Sequence, residues 1–422
     1  MIKKLRMLAV SAAMISSSGN ALAHSNEFRP YDAAASLLKP RKNDIFRLSV
    51  DGEYGSRRTG KNWDAKRKSV LALHDDSQST IAMVQDSVTG NSALITAQTQ
   101  IGKIQDDGVR GHVQLGGRYS GMNLNFNGSY VLPVKEIPGQ FEVRLHVPVV
   151  AKKMSDVSFV DLTVDDSPDN LIIKQTLTNN LIAHAKTFGD LDLSTWEKVG
   201  LGDIGVLLGW SNDYAQDKEF LKNVTLQGKI GLSLPTGAQK DIDKAFSMAL
   251  GNDGAIGLPL GIGMGLDFIH HIRAGIDVDF LVLFDKTREM RLKTNDLQTE
   301  FLLMNKGRTT HEHGLIWQFH LYLQAYRFVK GLSVGVDYQF VKQDNDRLNP
   351  RNNDFSFSLV NSVRSLKEWN VHNVLLRTHY DFVDDNRDVA IAPQVGFFYK
   401  LPVAGKNVID THTIGGQLVL NF

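Results

Sequence analysis

The sequence predicts an all-β protein, a transmembrane antiparallel up-and-down β-barrel of about fourteen strands. Three observations predict it. Segments of about 10 to 14 residues alternate strictly between apolar and polar side chains, roughly twice the strand length of soluble domains and enough to cross a bilayer at a tilt. The joints between these segments alternate short and long along the chain. The chain stops on an alternating segment that ends in an aromatic residue, Phe422.

Composition agrees and narrows the choice. In 422 residues, 42% are hydrophobic and 22% charged, which excludes a disordered chain, and no run of about 20 apolar residues exists for a spanning helix. Lys and Arg number 47 against 46 Asp and Glu; without the first 23 residues the cations fall to 44, so the remainder is weakly acidic. Nucleic acid, which needs a clustered positive field, is not an expected partner. There are no cysteines, which excludes disulfides, thiolate metal sites and cysteine nucleophiles.

In chain order, Lys3, Lys4 and Arg6 precede the apolar stretch Met7 to Ile15, and Ala21-Leu22-Ala23 forms an A-x-A cleavage site. Residues 1–23 therefore read as a signal peptide, with the mature chain starting near His24. Residues 24–43 are polar with one apolar cluster, Ala33 to Leu38, and form an N-terminal segment placed either to plug the lumen or to hang in the periplasm. The barrel is expected over 44–422.

Its strands are expected near 44–55, 68–86, 109–119, 121–133, 140–150, 201–214, 222–235, 258–271, 272–286, 313–329, 331–344, 371–384, 389–402 and 410–422. The clearest alternation runs from Ile272 to Asp285: Ile272, Ala274, Ile276, Val278, Phe280, Val282 and Phe284 are apolar, and Arg273, Asp277 and Asp279 lie between them. Met122 to Leu132 places Asn123, Asn125 and Asn127 between Met122, Leu124, Phe126 and Tyr130. The segment 68–86 has the weakest pattern, because 56–108 is polar and poorly periodic; twelve is the alternative even count.

With Phe422 at the periplasmic rim, every short joint falls in the periplasm, namely Lys135 to Gln140, His270-His271, Lys330-Gly331 and Asp384 to Asp388. The long joints 151–200, 236–257, 287–312 and 345–370 fall outside, as an outer-membrane barrel requires. The C-terminal strand resembles the one by which the barrel-assembly machinery recognises such proteins. In the loop 151–200, Ser167 as N-cap, Pro168 in the first turn, apolar Ile173, Leu177, Leu181, Ala185 and Phe188, and Gly189 past the end predict a helix, which either covers loop surface or folds over the pore mouth.

Gly200-Leu201-Gly202-Asp203 opens one strand, Gly231 to Gly237 with Pro235-Thr236-Gly237 closes another, and the Gly-rich strand Gly257 to Leu266 follows. This order, over roughly residues 200–270, resembles the barrel family associated with meta-pathway phenol degradation, distantly related to fatty-acid and toluene channels. The resemblance implies uptake of hydrophobic compounds across the outer membrane. Independently of it, Gly261, Gly263 and Gly265 share the lumen face of one strand, where a neighbouring wall, plug or ligand can approach closely.

The same parity assigns to the lumen Arg110, Arg118, Arg144, Lys229, Asp267, Arg273, Asp277, Asp279, His320, Asp337, Arg377, His379, Asp381 and Lys400, together with Arg47, Asp51, Glu53, His112, Glu142 and His146. Mixed charge of this kind either tunes a water-filled pore or fills a narrow barrel with ion pairs. His379, Asp381 and Arg377 on one strand face are the best candidates for a base and its orienter; spacing alone produces such neighbours, and an enzyme is not expected. His311-Glu312-His313 is the one compact set of metal-capable side chains, and it would hold zinc only if another loop supplied a further ligand. No metal or other cofactor is therefore expected. The basic run Arg57, Arg58, Lys61, Lys66, Arg67 and Lys68 lies in the first external loop, where lipopolysaccharide phosphates would attract it.

The expectation is thus a bacterial outer-membrane channel for passive uptake of a small solute, embedded in outer-membrane lipids, with entry gated by the loops 151–200 and 236–257 and apolar residues of 243–262 offering a binding pocket. A structural barrel with a blocked lumen and a barrel-embedded hydrolase are the alternatives.

Overall fold

In the computed structural model, residues 24–25, 45–86, 91–134, 136–165, 167–383 and 391–422 are described. The expected signal peptide, nearly all of the N-terminal segment and the joint 384–390 lie outside the described residues.

Twelve antiparallel strands form one closed sheet: β1 (Phe46–Arg57), β2 (His112–Leu132), β3 (Gln140–Asp161), β4 (Ile204–Ala215), β5 (Leu221–Leu234), β6 (Gly257–Phe268), β7 (Ile272–Leu283), β8 (Ile316–Val329), β9 (Leu332–Gln343), β10 (Trp369–Asp381), β11 (Ala392–Lys406) and β12 (Thr413–Asn421). Each pairs with its neighbours in sequence, and β1 pairs with β12, Arg47 opposite Asn421 through Gly55 opposite Thr413, to close the ring.

The count departs from the expected fourteen at two places. Residues 109–119 and 121–133, expected as two strands, belong to one 21-residue strand, β2, whose register with β3 shifts between Gly116 and Arg118, where Asp156 and Val157 of β3 lie opposite Gly117. Within 68–86, Arg67–Ser69 joins a small loop sheet, Gln78–Ser79 pairs only with the outer end of β2, and Thr80–Val84 is helical.

The two faces of the ring have inverted polarity. Ile262, Leu321, Leu323, Leu376, Phe397 and Ile414 are exposed, whereas Asp277, Gln318, His320, Asp337, Gln339 and Asn373, interleaved with such residues, are buried. A single closed sheet buries only its concave side, so the polar set is enclosed and the apolar set faces outward, the arrangement stable in hydrocarbon. Exposed aromatics collect at the short-turn rim, including Tyr130, Tyr214, Phe220, Phe328, Phe382 and a contacting pair, Phe46 and Phe422, with ring centroids 5.9 Å apart.

One rim carries the brief connections after β2, β4, β6 and β8. The other carries 58–111, 162–203, 235–256, 284–315 and 344–368, with the six-residue joint 407–412 as the short exception. The long loops fold into a cap. β2 and β3 run on past the other strands, and their outer halves turn Val113, Leu115, Tyr119 and Met154 toward a hydrophobic core shared with α1 (Thr80–Val84), α2 (Ser92–Ile101), α3 (Pro168–Ile173) and α4 (Leu181–Gly189). The helix expected over 167–189 starts as predicted, with Ser167 capping Asn170 and Pro168 in the first turn. It is then broken by a π-helical stretch, Lys174–Thr178, and ends on Asp190 in the left-handed conformation (φ 55°). Ile173, Leu177, Leu181, Ala185 and Phe188, which the helical spacing places on one face, are all buried in this core.

The outward apolar band predicts a depth-dependent penalty. Leu321→Arg, in the middle of β8, is expected to lower stability by about 2–4 kcal/mol in denaturant titrations in lipid vesicles, whereas Leu321→Phe changes it by less than about 1 kcal/mol.

Candidate functional site

Inside the barrel, alternate residues of neighbouring strands meet in register and pair. Lys229 on β5 and Asp279 on β7 lie on either side of Gly261 on β6, both directly opposite it in the ladder, and their side chains join across it with Nζ 2.7 Å from the carboxylate. A Cβ on Gly261 would stand 2.1 Å from the Asp279 carboxylate. Gly263 plays the same part between Gln227 and Asp277, whose side chains are hydrogen-bonded across it. The neighbouring walls that these glycines admit are therefore the side chains two strands apart.

From Asp277 the network continues around the ring. His320 Nδ1 lies 3.3 Å from Asp277 and its Nε2 lies 3.5 Å from Asp337, and Asp337 accepts from the Arg377 guanidinium. Gln318 donates to Asp279, Gln339 to Gln318 and Asn373 to Gln339. Farther round, Lys400 donates to Glu53 at 2.9 Å, Asn123 donates to Glu53, Asn125 and Asn127 to Asp51, and His146 is bonded to Asn127. His320 and Lys400 are fully buried and Asp337 is 1% exposed, so charge is compensated laterally rather than by solvent.

The remaining expected lumen residues are placed as follows. Arg144 pairs with Glu142, Asp267 with Arg273 (2.5 Å), and Asp381 with Arg327 (2.7 Å). Arg110 and Arg118 are corrections. Arg110 precedes β2 and bonds Asn170 of α3 in the cap, and Arg118, at the bulge, faces Asp156 at 3.3 Å with its side chain 44% exposed. Read as a strand of its own, 109–119 takes an even-numbered lumen face, whereas in the continuous β2 the buried Val113, Leu115, Tyr119, Asn123 and Asn125 are all odd-numbered, so Arg118 points the other way; the register shift adds its extra residue on β3, beside Asp156 (φ 52°). The same physics hid Arg327: it has apolar-side parity on β8, and a register shift between Ala325 and Val329, with Arg327 at φ 46°, turns it inward to Asp381.

His379 is buried at 6% exposure and bonded to Gln324, Asp381 holds Arg327 and Arg377 holds Asp337. The candidate base and its orienter are thus engaged by different partners inside the wall, away from the outer rim that a hydrolase would use.

Along its axis the interior changes character. Toward the short-turn rim a cavity of about 620 Å³ is lined by Arg47, Glu142, Arg144, Asn223, Gln227, Lys229, Arg273, Asp277 and Tyr322, and it reaches Asp213 and Ala215, which are exposed. At the capped end apolar inward side chains cluster, Leu207, Leu281, Leu283 and Ile316 packed together and Trp369, Val371 and Val408 forming a second patch, beside the buried polar Ser233, Gln343 and Thr413.

The pieces that carry the family resemblance meet at this junction. The Thr236 hydroxyl donates to Gly202 O and accepts from Ile204 N, and the buried Asp203 carboxylate accepts from Gly237 N and Asn252 N. The loop 235–256 is thereby drawn over the strand ends, and Ala245, Phe246, Met248, Leu250 and Ala255 are buried in the interior rather than exposed.

Within the cap a smaller cavity, about 100 Å³, has apolar walls including Leu191, Phe301, Leu303 and Val363, with Lys240, Arg288, Arg291 and Glu300 around it. Burial, with Asp75 close by, pushes the Glu300 carboxyl up to about 8, and burial lowers Lys240. Arg291 knits the cap by donating to the carbonyls of Gly189, Ile242, Leu303 and Met304. None of these loop residues has a periodic signal in the sequence. The basic run of the first loop is largely neutralised: Arg57 faces Asp410, Arg58 Asp156, Lys66 Asp64 and Lys68 Asp76.

Metal-capable side chains converge at one place among the described residues, where His311, His313 and Asp346 bring their donor atoms within 4.8 Å of one another. Burial and the adjacent His311 push the His313 imidazole down to about 4.

No family model matches the sequence, and no curated protein does. Among solved structures, the chain is similar to an outer-membrane channel from Pseudomonas putida F1, with a TM-score of 0.51 and 11% identity over 94% of this chain and 100% of that one. At that identity the likeness establishes a common fold, a closed antiparallel β-barrel. Looser matches include a mutant of the monoaromatic hydrocarbon channel TodX (TM-score 0.39, 8% identity, 96% and 97% covered) and the toluene transporter TbuX of Ralstonia pickettii (0.34, 10%, 97% and 99%).

The close approach at β6 is open to test. Gly261→Val is expected to cost about 1–3 kcal/mol in unfolding titrations, because it forces Lys229 and Asp279 apart. The neighbouring outward change Ile262→Val should stay within about 0.5–1 kcal/mol.

Proposed function

We propose that this protein is a bacterial outer-membrane channel for the passive uptake of small hydrophobic or aromatic compounds, of the kind handled by the phenol-degradation barrel family that the 200–270 motifs resemble. One observation carries the reading. The interior passes from an apolar layer under an apolar-cored cap to a polar cavity of about 620 Å³ at the short-turn rim. A solute with a greasy ring and a polar group meets matching surroundings at the entrance and water at the exit. The fold shared with the Pseudomonas putida channel supports both the channel reading and the outer-membrane location. Lipopolysaccharide against the first loop, and recognition of β12 and Phe422 by the barrel-assembly machinery, are proposed partners on charge and terminal pattern alone.

A second reading, a structural barrel with a sealed lumen, is favoured by the mid-barrel layer, where His320, Asp337 and Lys400 are enclosed by their partners. Liposome swelling separates the two. Proteoliposomes are expected to admit small aromatic and fatty acids faster than protein-free vesicles, with sugars of similar size slower. No permeation of any solute, together with no conductance in planar bilayers, would establish the sealed barrel instead.

A further inference from the structure

Two separate loops of the cap build a site of three nitrogen and oxygen donors. His311 belongs to the strand Lys306–Glu312 and His313 follows its end, so the two imidazoles are two residues apart and lie against each other, ring centroids 3.9 Å apart. That strand pairs antiparallel with Arg347–Pro350, Glu312 opposite Arg347, which brings Asp346 to the level of His313. Asp346 Oδ2 is 3.0 Å from His311 Nε2. This carboxylate is the further ligand, supplied by another loop, that the His-Glu-His sequence lacks on its own.

The surroundings hold the donors in place. Asp346 Oδ1 accepts from Gly314 N and from Gln343 Nε2, both at 2.7 Å, which fixes the carboxylate with Oδ2 turned toward the imidazoles. Such outer partners orient ligands in metal sites. The nearby cations are engaged elsewhere, Arg288 with Asp253 and Lys286 with Gly254 O, and Glu312 is held by Asn349. Three donors and one open position suit a four-coordinate zinc site, whose ligand atoms stand about 3.3 Å apart at bond lengths of about 2.0–2.1 Å. Donor atoms within 4.8 Å reach that spacing by small side-chain rotations.

We propose that His311, His313 and Asp346 bind a divalent first-row transition metal, zinc(II) being the best fit, and that the ion staples the loop 284–315 to the loop 344–368 at the base of the cap, beside the ends of β8 and β9. The ion replaces the hydrogen bond between His311 and Asp346 and leaves its fourth position to water. Copper(II) and nickel(II) share the donor preference, copper(II) with higher affinity. The staple reinforces the ladder between Lys306–Glu312 and Arg347–Pro350, just beyond the ends of β8 and β9.

The test uses the full-length protein, untagged, in detergent and stripped with EDTA. Zinc(II) titrated calorimetrically at pH 7.5 is expected to bind at about one equivalent per chain, and cobalt(II) to give the visible bands of a tetrahedral nitrogen–oxygen site. H313A and D346N should each weaken binding at least tenfold, and Gln343→Leu, which removes only the support of the carboxylate, by about 10-fold. Zinc should slow proteolytic cleavage within 344–368 in the parent and not in the double variant H311A/H313A. Heat-modifiable electrophoretic migration confirms the barrel in each variant; should a ligand variant fail to fold, Q343L carries the same comparison. Absence of stoichiometric zinc, or binding of equal strength in H311A/H313A, overturns the proposal.

Discussion

A peptide group left without a partner in hydrocarbon costs several kcal/mol, and that constraint organises this molecule. It forces the sheet to close, and β1 meeting β12 is the pairing that removes the last open edge. Once the ring is closed, alternation leaves no freedom: each strand must give one set of side chains to lipid and the other to the enclosed volume. The lipid set is uniform because any apolar side chain serves there. The enclosed set must be specific, because twelve strands leave an interior narrow enough for side chains from neighbouring strands to meet.

The polar interior follows from that narrowness. Lys229 and Asp279 touch only because Gly261 between them has no side chain, and Asp277, His320, Asp337 and Arg377 run as a chain of polar partners from strand to strand. A buried charge with no partner is far more costly than a paired one, so the network is a mutual requirement of four strands rather than a set of separate bonds. Lys229, Asp277, Asp279 and Arg377 also line the polar cavity, and the apolar layer lies beneath the cap. Any solute crossing the barrel has to pass or displace part of this layer.

Regular alternation made the strands, their polarity and most of the interior residues readable before any coordinates. Readability failed where local geometry breaks the period of two. Between 119 and 121 the pattern of alternation changes phase within one continuous strand, and reading that change as a joint raised the strand count and put Arg118 on the wrong side. At Ala325 to Val329 a second irregularity brought Arg327 inward against its parity. The cap was legible only in its helical start at Ser167, since its core gathers residues as distant as Leu71, Phe246 and Phe301 with no common periodicity. Asp346 illustrates the same limit, for its relation to His311 exists only through the strand pairing of two loops.

The central claim is the inside-out sense of the barrel, and the absence of native cysteines allows a direct test. Single cysteines placed one at a time from Trp317 to Gln324 on β8, each carrying a nitroxide label in lipid vesicles, report collision with oxygen, which concentrates in the bilayer. High accessibility is expected at 317, 319, 321 and 323 and low accessibility at 318, 320, 322 and 324. The reverse phase, or a uniform profile along the strand, would contradict the account.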